Sequence, residues 1–468
     1  MIKTQHAIGA LVGSAVGDAL GAPFEFQRPG LYRATYPSPV VGGIGEMRGG
    51  GNFGWKPAEF TDDTQMALAL AESLIARNGF DPADLWQRWR TWAETAADVG
   101  VQTREALTEK SHVGVAERVH MRRGQSAGNG SVMRNTPIAL WSAELSLESL
   151  ADLAGRQASL THHDPHNAYG ATIHAAMICA GIRGEDVFDA IESALAVLPA
   201  ESRDLWMPLL ASGWQPDTSQ NNGTVWHCLA EAVWAVRNAA TFEEAVVNAV
   251  DLGRDADTVA CVAGGIAGAR WGVQSIPSRW TTYLNGTVSG PDGDTFYDYA
   301  SLQSLALRLL GKHAPVEPAD EPAGGPARVH EKFPIYAANR AGAAKAPDDW
   351  QVISLCRTGD EFTKRNVRRQ VFLVDKAEPH HNEQPLAVLE DVVDTIDALL
   401  AEDAARPILV HCHGGRSRTA FVIKGWAMRR FGWTEEQAHE WLVRAWPRID
   451  RMNGRFVEIL RGKWLQES

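Results

Sequence analysis

The sequence has few cysteines and no long uninterrupted apolar run. Its 468 residues include five cysteines and no CxxC pair, which argues against a disulfide scaffold. The apolar stretch near the start is interrupted by Asp18 and Glu25, and we expect it to be too short to span a bilayer. The sequence therefore predicts a cytoplasmic protein with reduced thiols and no membrane partner.

The sequence also lacks an excess of basic residues over acidic ones. The net charge is −12, which argues against general nucleic-acid or membrane binders because such proteins need a basic face. The acidic residues are concentrated early in the chain: residues 1–330 carry 37 acidic and 24 basic residues, whereas residues 331–468 carry 20 and 21. Surplus carboxylates are typical of a solvated surface, but they are also what a site for hard divalent cations requires.

The length predicts two or three domains. Residues 1–310 form a mostly Ala-rich helical pattern with little strand alternation, and residues 311–333 are rich in Pro, Gly and charge, as in a linker. In residues 334–468, short β-rich runs at 351–355, 370–374 and 407–411 alternate with helical segments. This order predicts a multidomain protein with a helical domain followed by an α/β domain.

One loop of the second domain combines a cysteine with an arginine six positions later. The run PILVH leads directly into this loop and then into a helical segment, an arrangement that exposes backbone N–H groups around an anion. The same field favours the thiolate of Cys412, while Arg418 can hold two phosphoryl oxygens. Gly414 and Gly415 allow the backbone to approach a ligand closely. The alternative is a buried cysteine beside chance glycines and an arginine.

The segment HCHGGRSRT resembles the HCxxGxxR signature of protein tyrosine phosphatases, particularly the dual-specificity branch, over about residues 335–468. The resemblance implies that Cys412 attacks phosphorus, Arg418 stabilises the transition state and Thr419 assists hydrolysis of the phosphocysteine, without a cofactor. The other phosphate-binding residues would be His413, Gly414, Gly415, Arg416 and Ser417. Asp375, after the run at 370–374, is the candidate general acid; a capping or loop aspartate is the alternative.

Two oxygen-rich clusters stand out in the first domain, each before a helical run. They are Thr61, Asp62 and Asp63, and Asp255, Asp257 and Thr258. Each cluster alone could be ordinary helix capping. Together they would bind two hard cations such as Mg²⁺ or Mn²⁺ if the fold joins them, and the lack of His and Cys disfavours zinc.

Five motifs resemble the ADP-ribosylglycohydrolases in the same order, over about residues 5–310. They are GSAVGDALGAPFEF, FTDDTQMAL, AGNGSVMRNTPIAL, SLTHHDPHNAYGA and GRDADTVACVAGGIAGARWG. The resemblance implies an all-α bundle with a binuclear Mg²⁺ or Mn²⁺ centre held by both clusters. It also implies that Glu25 controls the access of water or substrate to the metals.

The same resemblance assigns a substrate site. The residues that would bind the diphosphate are Gly128, Asn129, Gly130 and Ser131, and His162 would lie beside ADP-ribose. Asp98 resembles the acidic residue of the arginine-directed branch, which favours ADP-ribosyl-arginine because a carboxylate suits a cationic acceptor.

These observations favour a bifunctional hydrolase, which cleaves an ADP-ribosyl glycosidic bond and hydrolyses a phosphomonoester. Its partners would be an ADP-ribosylated protein or an ADP-ribose-containing small molecule, and a phosphorylated substrate, with no nucleic acid. The alternative is that one domain is catalytic and the other is a binding module for ADP-ribose or phosphate. The sequence predicts no particular oligomeric state.

Overall fold

The structure, a computed structural model, describes residues 2–313, 322–358, 366–450 and 452–464. The chain divides into two units. The first comprises Met1–Pro39, Glu46–Ile276 and Tyr283–Ala314, and the second comprises Val40–Gly45, Pro277–Thr282 and Pro315–Ser468. Residues 314–321 of the predicted linker lie outside the described residues.

Helices dominate the chain before residue 310, as the Ala-rich pattern predicts. They are α1 (Thr4–Gly21), α2 (Leu31–Thr35), α3 (Asp62–Arg77), α4 (Pro82–Ala93), α5 (Val101–Leu107), α6 (Val115–Arg123), α7 (Thr136–Trp141), α8 (Leu147–Ala158), α9 (Pro165–Arg183), α10 (Asp189–Ala196), α11 (Ala200–Leu210), α12 (Val225–Arg237), α13 (Phe242–Asp251), α14 (Ala256–Trp271), α15 (Ser278–Thr281) and α16 (Tyr299–Leu309). The prediction of a helical first domain is confirmed.

Helices α1 and α14 of the first unit pack backbone against backbone. Glycines recur every four residues on α1, and a Cβ on Gly13 would collide with the carbonyl oxygen of Gly264, while one on Gly17 would collide with that of Ala260. Only glycine at these positions lets the two backbones touch. Because the helices are antiparallel, this packing brings the end of α1 to the start of α14, where one of the aspartate clusters lies.

The apolar stretch near the start of the sequence is longer than expected. Together with the short 3-10 turn that follows it, α1 forms a helical segment, Thr4–Phe24, which contains an 18-residue window with a mean hydropathy of 1.4 and is long and apolar enough to cross a membrane by length and composition alone. The expectation that it is too short was wrong, because the helix continues through Asp18. In the fold, 94% of that 18-residue window is buried, as in the core helix of a globular domain.

The first unit also contains a β-hairpin, which the sparse strand alternation did not predict. Strand β1 (Asn285–Gly290) pairs antiparallel with β2 (Gly293–Asp298), with Asn285 opposite Asp298. The hairpin is exposed along β2 and carries little apolar alternation, which explains why the sequence pattern did not reveal it.

The second unit is built on a five-stranded sheet. Its strands are β3 (Ala327–Arg328), β4 (Ile335–Asn339), β5 (Gln351–Ser354), β6 (Asn366–Gln370) and β7 (Ile408–Cys412). They lie in the order β3-β4-β7-β5-β6; β3 is antiparallel to β4 and the other neighbours are parallel. The predicted α/β domain is confirmed, and β3 draws the end of the predicted linker into this sheet.

The strand predicted at 370–374 was wrong in its bounds. Strand β6 precedes it, in the basic stretch Asn366–Gln370, and the apolar residues that follow leave the sheet. Val371 still donates its N–H to the carbonyl oxygen of Ser354 at 2.8 Å, and Leu373 is buried in the core. Beyond this one bond of Val371 to β5, the apolar run therefore reports burial rather than strand pairing.

Helices cover this sheet and complete the core. They are α17 (Arg340–Ala343), α18 (Pro385–Glu402), α19 (Ser417–Phe431), α20 (Glu435–Ala445) and α21 (Gly454–Gly462). Buried apolar residues of β7 pack with those of α18 and α19 in one cluster, which fixes the strand and the helix on either side of the Cys412 loop.

Candidate active sites

Two helix starts and one helix end meet in the first unit. Helix α3 begins at Asp62 and α14 at Ala256, and the backbone of Gly21, at the end of α1, lies directly against that of Asp257. The hydroxyl of Thr258 donates to Oδ1 of Asp63 at 3.4 Å. The two aspartate clusters, far apart in sequence, therefore lie together.

The resulting group of carboxylates fits hard divalent cations. One ligand oxygen each from Glu25, Asp255 and Asp257 lies within 4.8 Å of the others. Within the described part of the chain, Oε2 of Glu25 and Oδ2 of Asp63 are buried without a hydrogen-bond partner. Buried acceptors are rarely left unpaired, and oxygen donors of this kind are the ligands that Mg²⁺ and Mn²⁺ prefer.

The electrostatics of the group lead to the same interpretation. Burial, followed by the charges of Asp255 and Asp98, raises the pKa of Glu25 to about 9. Burial and the neighbouring carboxylates also raise the pKa of Asp62 and of Asp63 well above the ordinary range. Like charges in a buried site oppose each other's ionisation, so bound cations would stabilise the ionised group.

Asp18 is a member of this site that sequence reasoning missed as a functional residue. Both of its carboxylate oxygens accept the N–H of Thr61 at 3.0 Å, and Oδ2 also accepts the N–H and the hydroxyl of Thr64 at 3.0 and 2.5 Å. Asp18 thereby fixes the first turn of α3, which carries Asp62 and Asp63. The signal was present, because an aspartate inside an apolar, Gly-rich helix has no reason to be buried unless it has partners.

Asp98 also belongs to the site. It lies in the loop before α5, half-buried, and its charge contributes to raising the pKa of both Glu25 and Asp62. The backbone of Gly100, two residues later, hydrogen-bonds to Asp62. Asp98 therefore stands beside the acidic group.

The loop predicted to bind a diphosphate packs against His162. A Cβ on Gly130 would lie 2.9 Å from Cε1 of His162, and one on Gly128 would lie 3.4 Å from its Nε2. The Ser131 hydroxyl donates to Oδ1 of Asn167 at 2.6 Å, so its side chain supports the loop. Burial, followed by the charge of Arg134, lowers the pKa of His162 well below its ordinary value, which leaves a neutral ring against the glycines.

Asn129 joins this loop to the acidic group. Its side-chain amide donates to Oδ2 of Asp255 at 2.7 Å, and its backbone N–H donates to the carbonyl oxygen of Gly223 at 3.0 Å. Oδ1 of Asn222, the residue directly before Gly223, accepts the backbone N–H of Asp255 at 3.1 Å. No pattern in the sequence points to Asn222, since it stands in a polar loop without a helical or strand pattern.

In the second unit, the cysteine loop has the predicted strand, loop and helix geometry. Cys412 ends β7 and α19 begins at Ser417. Gly415 has a φ of 65°, and a Cβ there would lie 2.8 Å from the carbonyl oxygen of Ala338, so only glycine suits this position. The loop is held in place because the carbonyl oxygen of Gly415 accepts the indole N–H of Trp446 at 2.6 Å.

Arg418 is held beside the loop by two backbone carbonyls. Its Nη1 donates to the carbonyl oxygens of Leu355 at 3.3 Å and of Leu373 at 3.0 Å. Both Cys412 and Arg418 are buried. The guanidinium group is thus positioned by two separate segments, the ends of β5 and of the stretch that follows β6.

Asp375 is connected to the loop through Asn453. Its Oδ1 accepts the side-chain amide of Asn453 at 3.3 Å, and the Asn453 backbone N–H donates to Oγ of Ser417 at 3.0 Å. Asp375 is exposed and so can reach a leaving group in solvent. The structure brings this candidate acid to the cysteine loop, although the sheet strand before it ends earlier than predicted.

The remaining predicted residues of this site occupy the loop and the start of α19. The carbonyl oxygen of His413 accepts the N–H of Arg340 at 3.0 Å, and that of Gly414 accepts Nε of Arg448 at 3.4 Å. The carbonyl oxygen of Arg416 accepts the N–H of Ala420 in the first turn of α19. Thr419 is buried, and its hydroxyl has no hydrogen-bond partner among the described residues.

Comparisons with known proteins match each part of the chain to a family. The family model of ADP-ribosylglycohydrolase matches residues 2–318, and that of the dual specificity phosphatase catalytic domain matches residues 350–461. The ADP-ribosyl-[dinitrogen reductase] glycohydrolase of Rhodospirillum rubrum is 32% identical, covering 60% of this chain and 90% of that protein.

Two further relatives match the same region. The ADP-ribosylarginine hydrolase Tri1 of Serratia proteamaculans is 32% identical, covering 59% of this chain and 75% of that protein. A solved structure of an ADP-ribosylglycohydrolase-related protein complex is 32% identical with a TM-score of 0.52, covering 66% of this chain and 98% of that one. The family resemblances predicted from the sequence motifs are confirmed.

Proposed function

This chain belongs to the ADP-ribosylglycohydrolase family and also carries a dual specificity phosphatase domain, and we propose that it is a bifunctional enzyme with two independent chemistries. The first unit removes ADP-ribose from arginine side chains with the help of bound Mg²⁺ or Mn²⁺. The second hydrolyses a phosphomonoester through a phosphocysteine. The observation that carries the first activity is the group of Glu25, Asp255 and Asp257, whose ligand oxygens lie within 4.8 Å of each other.

The proposed metal ligands lie at the two helix starts. They are Thr61, Asp62, Asp63, Asp255, Asp257 and Thr258. Cations held by these residues would supply positive charge for binding the ribose hydroxyls and for stabilising the charge that develops at the scissile bond. The carboxylate of Glu25, with its unpaired Oε2, orients the attacking water, and the fixed geometry lowers the entropy barrier to attack at the anomeric carbon.

The substrate is bound on two sides of this centre. The amides of the Gly128–Ser131 loop hold the diphosphate, and the loop is coupled to the centre because Asn129 donates to Asp255. Asp98 accepts hydrogen bonds from the guanidinium group of the acceptor. The presence of this half-buried carboxylate beside Asp62 supports an arginine acceptor over serine, and one relative is an ADP-ribosylarginine hydrolase.

In the second unit, the Cys412 sulfur attacks phosphorus and the bond between phosphorus and the leaving oxygen breaks. Asp375 donates a proton to that oxygen, and Arg418 holds two oxygens of the transferring group with its forked donors. Water then attacks phosphorus and the thiolate leaves, assisted by the Thr419 hydroxyl. The connection from Asp375 through Asn453 to Ser417 supports this assignment of the acid.

Two variants test the two activities against each other. Asp62→Ala should abolish the Mn²⁺-dependent release of ADP-ribose from ADP-ribosyl-arginine while the hydrolysis of an aryl phosphate remains. Cys412→Ser should have the opposite effect. Full ADP-ribose release by Asp62→Ala, or release that is unaffected by EDTA, would contradict the metal-dependent mechanism. Tight binding of ADP-ribose without turnover would instead support a binding module.

A third variant tests the acceptor. Asp98→Asn removes the charge that would face the guanidinium group but keeps the shape of the side chain. We expect its kcat/KM on ADP-ribosyl-arginine to fall about 100-fold, because a lost charge-assisted hydrogen bond is worth about 3 kcal/mol. Turnover of ADP-ribosyl-serine by the wild-type protein at a higher kcat/KM than ADP-ribosyl-arginine would contradict the arginine assignment.

A further inference from the structure

A buried arginine and a buried threonine lead to the ring of His162 in the first unit. Arg134 and Thr161 are fully buried, and His162 is 3% exposed. Nη2 of Arg134 donates to Oγ1 of Thr161 at 2.8 Å, and that oxygen lies 2.7 Å from Nδ1 of His162. The three side chains therefore form one continuous chain of hydrogen bonds, which we call the Arg134 relay.

The direction of these hydrogen bonds follows from the donors and acceptors present. A guanidinium group has only donors, so Oγ1 of Thr161 accepts from Arg134. Within the described parts of the chain, the one other hydrogen-bond partner of this oxygen is Nδ1 of His162, so the hydroxyl hydrogen is donated to Nδ1. Burial, followed by the charge of Arg134, lowers the pKa of His162, which keeps the ring neutral. A neutral imidazole that accepts at Nδ1 carries its single proton on Nε2.

Arg134 is itself held firmly at the start of the relay. Its Nε donates to Oε1 of Gln157 at 3.0 Å, and its Nη2 also donates to the Gln157 carbonyl oxygen at 3.2 Å. The guanidinium carbon lies 4.0 Å from the ring centroid of Trp89, a favourable contact for a buried cation. Nε2 of Gln157 in turn donates to the carbonyl oxygen of Ser131 at 2.8 Å. The same arginine therefore supports both His162 and the end of the Gly128–Ser131 loop.

The Nε2 atom of His162 faces this loop. A Cβ on Gly130 would lie 3.1 Å from Nε2, and one on Gly128 would lie 3.4 Å from it. No hydrogen-bond partner of Nε2 occurs among the residues that the structure describes. Polar atoms of so buried a side chain are rarely left unpaired, so this N–H is available to a ligand that lies against the two glycines.

We propose that Arg134 and Thr161 are positioning residues, which hold His162 as an Nε2–H donor to the ligand of the loop. The inference rests on the proposed function, in which the loop binds the diphosphate of ADP-ribose, and it adds how one oxygen of that diphosphate is recognised. A hydrogen bond to an ionised phosphate oxygen is stronger than one between neutral groups. The opposite tautomer would turn a lone pair toward the same oxygen and repel it. Because Arg134 can only donate, the relay cannot reverse.

The test combines the tautomer of His162 with the affinity for ADP-ribose. Proton–nitrogen NMR spectra of protein labelled at the histidine nitrogens distinguish the two tautomers, and His162→Gln identifies the signals of that ring. We expect the wild-type ring to be protonated on Nε2. Thr161→Val should lose this fixed tautomer and bind ADP-ribose about tenfold more weakly in calorimetry. Thr161→Ser keeps the hydroxyl and should match the wild type in both measurements.

Two further variants separate the relay from a general loss of packing. Arg134→Met should also release the tautomer, because the Thr161 hydroxyl can then accept a proton from Nδ1. The matched control is Thr172→Val, since Thr172 is also buried but its hydroxyl donates to the carbonyl oxygen of Ala168, outside the relay. This control should change neither the tautomer nor the affinity for ADP-ribose.

The remaining outcomes would contradict the proposal. A wild-type ring protonated on Nδ1 would overturn the relay, and so would a Thr161→Val protein that binds ADP-ribose within twofold of the wild type. Equal weakening by Thr161→Ser or Thr172→Val would assign the effect to packing and also overturn it. A wild-type protein that binds no ADP-ribose would overturn the proposed function and with it the ligand assigned to Nε2, while the tautomer of the free protein would still confirm or overturn the relay itself.

Discussion

Replacing Asp18 by alanine should weaken both the first unit and its metal site. In the wild-type structure the Asp18 carboxylate accepts the backbone N–H groups of Thr61 and Thr64, each at 3.0 Å. Alanine leaves both N–H groups buried without this acceptor. Each unsatisfied buried donor costs about 1–3 kcal/mol, so we expect the free energy of unfolding to fall by about 4 kcal/mol. Because the first turn of α3 carries Asp62 and Asp63, Mn²⁺ affinity should fall about 10–100-fold.

The assays are urea unfolding followed by tryptophan fluorescence, and calorimetric titration with Mn²⁺. The matched control is Asp298→Ala, since Asp298 also caps a helix by accepting the N–H of Ser301 at 2.8 Å but is exposed. This control should lose about 1 kcal/mol and keep its Mn²⁺ affinity. Asp18→Asn keeps one acceptor oxygen, so its losses of unfolding free energy and of Mn²⁺ affinity should lie between those of Asp18→Ala and Asp298→Ala. The reasoning is refuted if Asp18→Ala loses no more stability than the control and binds Mn²⁺ unchanged.

Three other predictions concern single side chains. Arg418→Lys should lower kcat/KM on aryl phosphates at least 100-fold, because an ammonium group cannot hold two phosphoryl oxygens as a planar fork does; a loss below tenfold would contradict that role. Asp375→Asn should lower kcat about 100-fold on phenyl phosphate but much less on p-nitrophenyl phosphate, whose leaving group needs no proton; equal losses on both would exclude Asp375 as the acid. Burial lowers the pKa of His174 to about 4. In the unfolded chain the imidazole keeps its ordinary pKa of about 6.5, so as the pH falls below 6.5 the unfolded chain is protonated at His174 before the folded protein is. Wild-type stability should drop by about 2 kcal/mol from this group between pH 6.5 and 5, and urea unfolding of His174→Gln should lack that part of the pH dependence.

The division of the chain and the class of each half could be predicted because they depend on local pattern. Ala-rich helical periodicity identifies the first half, and short apolar runs between helices identify the second. The hairpin Asn285–Asp298 was missed because its strands have little apolar alternation. The strand at 370–374 was placed late because β6 is the basic stretch before it, and the apolar residues Val371 and Leu373 are buried without being part of the strand.

The site residues that could be predicted are those whose chemistry is visible at a helix start. Asp62, Asp63, Asp255 and Asp257 all lie at or next to such starts. Asp18 was not predicted as a site residue, because its role depends on α1 packing against α14 and then reaching the N–H groups of α3. The apolar surroundings of Asp18 in the sequence signal that it has partners, but only the tertiary fold brings these three helices together, so no local pattern identifies those partners.

The two candidate sites use the same structural element for opposite charges. A helix start carries partial positive charge and free N–H groups. In α3 that field is met by Asp18 and by the carboxylates of the first turn, Asp62 and Asp63, and their surplus negative charge is what the proposed cations would neutralise. The first turn of α19 has no acidic residue, so its field is left for an incoming phosphate. The residue types at the two helix starts are therefore the reason that the sequence predicts cations at α3 and phosphate at α19, whereas the contacts of Asp18 with α3 come from the tertiary fold.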